Sequence, residues 1–441
     1  MKKISFILTM LTLAFFAQAQ SYEDIGLKIF SGKYADAKKD IDKRITNEKF
    51  ASKPDAYILK TAIYAQLAST AEGEEAEQLL SQAQAAYKKY TEMDPALSLV
   101  DDPIYKNGFI NLYSAMYSRG FAGYQAKNWE KAAGDFKTTV ELSDLLIQKK
   151  VFSIPVDTNA LIMAGFTAEN SGHRDDAAKY YTRLADNKIG GKGNDFLYRF
   201  LIVYNYQKGN IDAFNKYKAL GKELYPDDEY YDYDEVDFAV GLSETYDAKV
   251  KALEGVLAKD PTNYKANVNL AQLISDTLNT SASEGKPLAN AAELEKRMID
   301  AITKALEAKP DDATLLMFLG DHYIAKAEKV NEERAEHVKA MQARTKPGAK
   351  PSAADVAKRD ELDKKYGEAM EVARDPYEKA ANVLAKKADI TPREKQQYRN
   401  IAGYLYDIYN LKKIQAKANP AEASKYEAAA KKWNELYDSI K

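Results

Sequence analysis

Apolar positions along this chain fall into short runs spaced i, i+3, i+4, i+7, the signature of one buried helix face, and the runs are separated by Gly, Asn or Pro. In Leu315 to Tyr323, for example, Leu316, Leu319, Gly320 and Tyr323 follow that stripe. Each run is about a dozen residues, a length marginal for an isolated helix in water, so stability has to come from stacking one helix on the next. The pattern therefore predicts an all-α chain of packed helix pairs.

The pairs repeat. From Leu161 to Leu184, Gly165, Gly172, Ala177 and Tyr181 are separated by steps of 7, 5 and 4. A second copy has Gly120, then Lys127-Asn128-Trp129 at the turn, then Ala132 and Phe136, with the same outer spacings of 12 and 4. More degenerate copies place Ile25 and Ile29 on a first helix and Gly32, Tyr34, Ala37 and Ile41 on the turn and second helix. Another second helix runs from Gly209-Asn210 to Pro226, and the next, Ala248 to Lys259, stops at Asp260-Pro261. Proline lacks the amide donor and clashes with helix continuation, so Pro95, Pro226, Pro261 and Pro310 read as stops between units. The period is about 34 residues.

On these residues the chain resembles the tetratricopeptide family. Gly120, Gly165, Ala271 and Gly320 stand where the two helices of that motif cross closely, and Ala132 and Ala177 match its second small position. The resemblance covers most of residues 22–325 and resumes after Pro376. It implies a right-handed superhelical solenoid of antiparallel helix pairs in which first helices line a concave groove for a peptide or helix. Projected onto that arrangement, Ser114, Tyr117, Phe121, Tyr124 and Gln125 face the groove from one helix. Asn159, Ile162, Phe166, Glu169 and Asn170 face it from the next, and Phe196, Arg199, Val203, Tyr206 and Gln207 from the one after. Tyr117, Phe121, Tyr124, Asn159, Phe166, Asn170, Phe196, Arg199 and Tyr206 are the candidate partner-binding residues. For the lysine and asparagine clamp that some family members close on a terminal carboxylate, only Asn159, Asn170 and Arg199 offer anything similar.

The repeat is interrupted after residue 325. Lys326 to Arg344 reads as a charged helix, Thr345 to Pro351 as a turn, and Ser352 to Arg374 as a second charged helix with a capping start at Ser352 and Asp355. This predicts a charged helical hairpin over 326–375 with its tip near Pro347-Gly348, stabilised by i,i+4 charge pairs among Glu328, Glu332, Arg334 and Lys339. Asp375-Pro376 is expected to restart a helix, as is the capping pattern Thr391-Pro392-Arg393-Glu394. Residues 376–441 then form the last repeat and capping helices, docked by Tyr404, Tyr406, Tyr409, Trp433 and Tyr437.

Composition narrows the function. Met1-Lys2-Lys3, an apolar stretch from Ile4 to Ala17, and Ala17-Gln18-Ala19 have the layout of a secretory signal peptide, with cleavage expected after Ala19. The domain plan is therefore 1–19 leader, 20–325 repeats, 326–375 hairpin and 376–441 terminal helices. The boundary Ala-Gln-Ala-Gln resembles those of exported Bacteroidota-type proteins, which implies a periplasmic address, with secretion as the alternative. No later stretch has the run of about 18 apolar residues that a membrane span needs. The absence of cysteine excludes disulfides, thiolate metal sites and a lipid-bearing cysteine. Loss of Lys2 and Lys3 takes the formal charge from −2 to about −4, which gives no reason to expect nucleic acid.

The 31 tyrosines suit wide helix crossings with hydroxyls at a wet edge. Catalytic chemistry has little to work with. His173, His322 and His337 are the only imidazoles and none stands in a triad or metal pattern. Glu333 and His337 share a helical face, as charged hairpins often arrange. Gly190-Gly191-Lys192-Gly193 lacks the Ser/Thr ending of a phosphate loop and reads as a turn between repeats. The acidic stretch from Tyr225 to Asp237 lacks the regular ligand spacing of a calcium loop and reads as a solvated connector. These observations predict a non-enzymatic scaffold or adaptor with a protein or peptide partner and no cofactor or metal. The alternative is a periplasmic binder of a small ligand or glycan, since the same aromatic wall can stack on sugar faces.

Overall fold

A computed structural model describes residues 22–286, 288–345 and 349–440, and among them every regular element is helical. The expected leader and the hairpin tip at Pro347-Gly348 lie outside the described residues. The chain divides between Asp232 and Tyr233 into two compact units. The first holds α1 (residues 22–30), α2 (Tyr34–Arg44), α3 (Glu48–Ala51), α4 (Pro54–Ala68), α5 (Gly73–Met93), α6 (Asn107–Gln125) and α7 (Trp129–Gln148). It continues with α8 (Thr158–Asn170), α9 (Arg174–Asp186), α10 (Asp195–Gln207), α11 (Ile211–Leu224) and a 3-10 turn, Glu229–Asp232. The second holds α12 (Glu235–Gly241), α13 (Tyr246–Lys259), α14 (Tyr264–Ser283), α15 (Ala291–Ala308), α16 (Ala313–Arg344), α17 (Ala353–Ala385), α18 (Pro392–Gln415) and α19 (Pro420–Ser439). In both units consecutive helices pack as antiparallel pairs, α4 with α5 through α10 with α11 and α12 with α13 through α18 with α19. Each pair then leans on its neighbour through contacts such as α7 with α8 and α17 with α18.

Two kinds of stop write this architecture. Within four of the pairs the first helix ends on a residue in the left-handed region: Gly32 (φ 75°), Lys127 (φ 56°), Gly172 (φ 86°) and Gly209 (φ 71°). The next amide then reaches back to a carbonyl five residues earlier, as in Asn128 to Gly123 and His173 to Ala168, both at 2.8 Å, which satisfies the helix end and reverses the chain. After α5, α11, α13 and α15 the stop is a proline, whereas α7 and α9 end on the left-handed Lys150 (φ 59°) and Lys188 (φ 51°). The C-caps Asp94, Tyr225, Asp260 and Lys309 share nearly one conformation (φ −132° to −136°, ψ 66° to 89°). Each precedes a proline, whose ring excludes the helical conformation from the residue before it.

Inside a pair, the small residue of the first helix receives an aromatic ring of the second. A Cβ at Gly120 would lie 3.1 Å from the Phe136 ring, and one at Gly320 would lie 2.6 Å from that of Tyr377. Tyr181 covers Gly165 in the same way. Ala132, Ala177 and Ala271 are fully buried at the crossings. Gly221 follows the rule with a partner of another kind, Tyr231 of the 3-10 turn.

The charged hairpin forms as α16 against α17, with two corrections. Its i,i+4 salt links lie on α17, as in Lys365 with Glu361, and among the described residues none joins Glu328, Glu332, Arg334 and Lys339: Arg334 instead pairs across the hairpin with Asp363 and lies 5.6 Å from the Tyr366 ring centroid. Glu333 and His337 do not pair, because the His337 imidazole donates to the Asp355 carbonyl at 2.9 Å. Pro376 does not restart a helix but lies inside α17, buried. A mid-helix proline costs about 3 kcal/mol, and burial of Ala373, Tyr377, Ala380 and Ala381 beside it offsets that. The caps at Ser352 and Thr391 form as expected. Of the expected docking residues, Trp433 is buried, whereas Tyr404 and Tyr437 remain more than a third exposed.

Candidate functional site

The candidate site is built on α6 and α8 of the first unit. Phe109, Leu112, Ala115, Met116, Gly120 and Gly123 bury one side of α6, which leaves the opposite stripe for aromatic residues. Phe121, 39% exposed, stacks on Tyr124 with ring centroids 5.8 Å apart. Tyr124 meets Phe166 of α8 edge-on at 5.7 Å. The sequence reading missed Trp129, which completes the group at 5.9 Å from Tyr124 and 6.1 Å from Phe166. The left-handed Lys127 and the Asn128 cap place Trp129 at the first position of α7, so its ring folds back over the end of α6. Its position directly after a turn motif was the available signal.

The helices that carry the cluster are tied to one another. The Asp157 carboxylate accepts from the Tyr113 hydroxyl at 2.7 Å and the Ser143 hydroxyl at 3.0 Å while capping α8 through the Ala160 amide, so one side chain ties α6, α7 and α8 together. Burial, then the bond to Asp157, pushes the Tyr113 phenol well above its ordinary range. Behind it the Arg119 guanidinium grips Asp135 with bonds of 2.6 and 3.0 Å. Asp135 is 4% exposed, and desolvation raises its carboxyl despite the arginine.

The other expected contact residues have occupations of their own. Tyr117 lies edge-on to Phe136 at 5.4 Å inside its pair, and Phe196 of α10 edge-on to Tyr181 of α9 at 5.5 Å, which extends the ring packing to the next pair. Tyr206 packs on Phe214 at 6.0 Å. Arg199 is held by Asp195 at 3.2 Å and Asp228 at 2.5 Å beneath Tyr230, a use of its charge that sequence spacing could not reveal. Asn159 is exposed at the start of α8. Asn170 is exposed at its end and donates to the Phe166 carbonyl at 2.8 Å. The structure thus brings together Phe121, Tyr124, Phe166 and Asn170, and adds Trp129.

Beside this cluster, a hollow of about 470 Å³ opens between the α8–α9 turn and the end of α10, lined by His173, Arg174, Asp175, Tyr204 and Lys208. Its polar groups are engaged: Asp175 takes Tyr204 and Lys208, both at 2.9 Å, the His173 imidazole lies 3.0 Å from Glu130, and Arg174 lies 5.2 Å from the Phe200 ring centroid. Much of the acidic stretch is committed too, with Asp232 paired to Lys222, Glu235 to Lys259, and Asp234 with Asp237 to Lys265. Among the described residues no three histidine or acidic side chains converge as metal ligands. No described helix is long and apolar enough to cross a membrane.

No family model matches the chain, and no curated protein matches it. Among solved structures it is similar to the human IFIT1 dimer with m7Gppp-AAAA, at 15% identity over 94% of this chain and 81% of that one, with a TM-score of 0.18. A monomeric IFIT1 mutant with Gppp-AAAA gives 16% identity over 92% and 79%, TM-score 0.18. Naa15/Naa10 bound to HypK-THB gives 14% over 96% and 79%, TM-score 0.13. Scores of this size carry no argument, and the tetratricopeptide-like fold rests on the helix pairs themselves.

Proposed function

We propose that this chain is a non-enzymatic scaffold of the cell envelope that binds a protein or peptide partner through the α6–α8 ring cluster. The observation that carries the reading is the continuous group Phe121, Tyr124, Trp129 and Phe166, open at Phe121, on helices that Asp157 ties together. Rings held rigid before contact bury large area at little entropy cost, and such residues dominate the energetics of protein interfaces. Export to the periplasm is part of the proposal and is supported by Met1-Lys2-Lys3, the apolar run and Ala17-Gln18-Ala19. N-terminal sequencing of protein recovered from the periplasm should begin at Gln20.

The test of the site is a photo-crosslinking residue at position 121, compared with one at exposed Lys137 on α7. A partner protein crosslinked from 121, and lost when Phe166→Ser is added to a chain that stays helical, supports the reading. Retention of oligosaccharide with no crosslinked protein would transfer the cluster to the glycan-binding alternative.

A further inference from the structure

In the second unit, α16 and α18 face each other across the middle of α17. α16 brings Asp321 and Glu328 to this side, and α18 brings Asn400, Tyr404 and Asp407, all at helical spacings of one or two turns. The floor is Tyr377 of α17, whose ring fills the space left by Gly320 and whose hydroxyl donates to Asp321 at 2.6 Å. Tyr404 lies flat on Tyr377, centroids 5.3 Å apart and planes 6° from parallel, and keeps 37% of its surface exposed. The hollow between the helices measures about 350 Å³ and includes Met317, Asp321, Asn400 and Tyr404 in its lining.

The electrostatics of this groove are one-sided. Burial and then Asp321, Glu328 and Asp407 all act to hold the proton on the Tyr404 hydroxyl, with Asp321 on the lining of the same hollow and Asp407 one turn along α18. Desolvation and the Glu328 charge raise the Asp407 carboxyl, and among the described residues no hydrogen bond or ion pair engages Asp407. Four cations of the surrounding helices are committed elsewhere: Lys326 to Glu295 at 2.5 Å, Lys412 to Glu371 at 2.7 Å, Arg374 to Glu371 and Glu378, and Arg334 to Asp363. An open aromatic face beside carboxylates that form no ion pair among the described residues is the complement of a guanidinium or ammonium group.

We propose that the α16–α18 groove binds a helical protein segment carrying two basic side chains two turns apart. One lies on the open face of Tyr404 between Glu328 and Asp407, and the other reaches Asp321. Asp321 and Glu328 are themselves seven residues apart on one helix, ~10 Å along its axis, which basic residues at i and i+7 of a docked helix match. The inference goes beyond the reading above, since it assigns a second site and the chemistry of its occupant.

The experiment measures fluorescence anisotropy of the mature chain with a labelled Ala-based helical peptide bearing Arg at i and i+7, against the same peptide with Glu at both. The Arg peptide should bind and the Glu peptide should not. Tyr404→Ala, and separately Glu328→Gln with Asp407→Asn, should weaken binding about fivefold or more with the helical signal intact, while Tyr404→Phe retains it. Equal weakening by Glu229→Gln with Asp232→Asn, in the other unit, would mean non-specific attraction and overturn the assignment. So would Tyr404→Ala binding as wild type. Phe121→Ser with Phe166→Ser should leave peptide affinity unchanged; if that variant alone loses it, the peptide occupies the ring cluster and the groove does not bind. Crosslinking from position 121 should in turn survive Tyr404→Ala, which keeps the two proposals separately testable.

Discussion

The ring of Tyr181 occupies the space in which a β-carbon on Gly165 would sit. The contact lets α8 and α9 cross closely, and it sets two substitutions against each other. Gly165→Ala gains up to about 1 kcal/mol of helix propensity but overpacks the crossing, which costs about 1–3 kcal/mol. Tyr181 is buried on all sides and cannot swing away, so the net effect is a lower thermal midpoint. Gly134→Ala on α7, where an added Cβ meets nothing within 4 Å, keeps the propensity gain alone and should raise the midpoint.

Arg119→Met should destabilise the first unit by about 3 kcal/mol, because it leaves the carboxylate of Asp135 buried without its cation. The double variant Arg119→Met with Asp135→Leu should recover much of the loss. Urea denaturation followed by circular dichroism measures both. An Arg119→Met chain as stable as wild type would show that Asp135 is already neutral at the working pH.

The start of α18 should loosen in acid. Glu394 bonds Lys387 and the amide and hydroxyl of Thr391, which lowers its carboxyl from 4.5 to about 2. A depressed folded value means that the cap contributes fully above the unfolded value and is lost as the pH falls from about 4.5 through about 2. Hydrogen exchange of the first-turn amides of α18 should accelerate across that window, and Glu394→Gln should remove the pH dependence.

Alkali acts with the opposite sign. Burial pushes Tyr198 up to about 12, and burial with a bond to Asp312 does the same to Tyr264, from an ordinary 10.0. A raised folded value means stability that is complete below pH 10 and lost as the pH rises through 12. Tyrosinate absorbance should therefore appear in two stages, exposed phenols first and the buried ones together with loss of helical signal. Titration of all phenols near 10 with the helices intact would contradict the packing.

Sequence spacing revealed the parts of the fold that depend on neighbours in the chain. Gly120 with Phe136 and Gly165 with Tyr181 were legible because turn length fixes their separation, and the proline stops because a proline acts on the residue beside it. Pro376 misled for the same reason: its local preference is to begin a helix, and only burial between α16 and α18 reveals that α17 runs through it. At the site, Phe121, Tyr124 and Phe166 followed from projecting the repeat copies onto the groove that the tetratricopeptide resemblance implies. Arg199 did not, because Asp228 reaches it from 29 residues away. Trp129 belongs to a second helix and lay outside a projection that considered first helices alone.

The α16–α17 hairpin also imposes an order in time. Its cross-links span growing lengths of chain, from His337 with Asp355 at 18 residues, through Arg334 with Asp363 at 29, to Asp321 with Tyr377 at 56. Closing a short loop costs less entropy than closing a long one, so the hairpin zips from its tip inward. Tyr404 reaches Tyr377 across only 27 residues of chain, so α18 can settle on α17 without waiting for the long link to Asp321, and the C-terminal helices extend the hairpin from its own second helix.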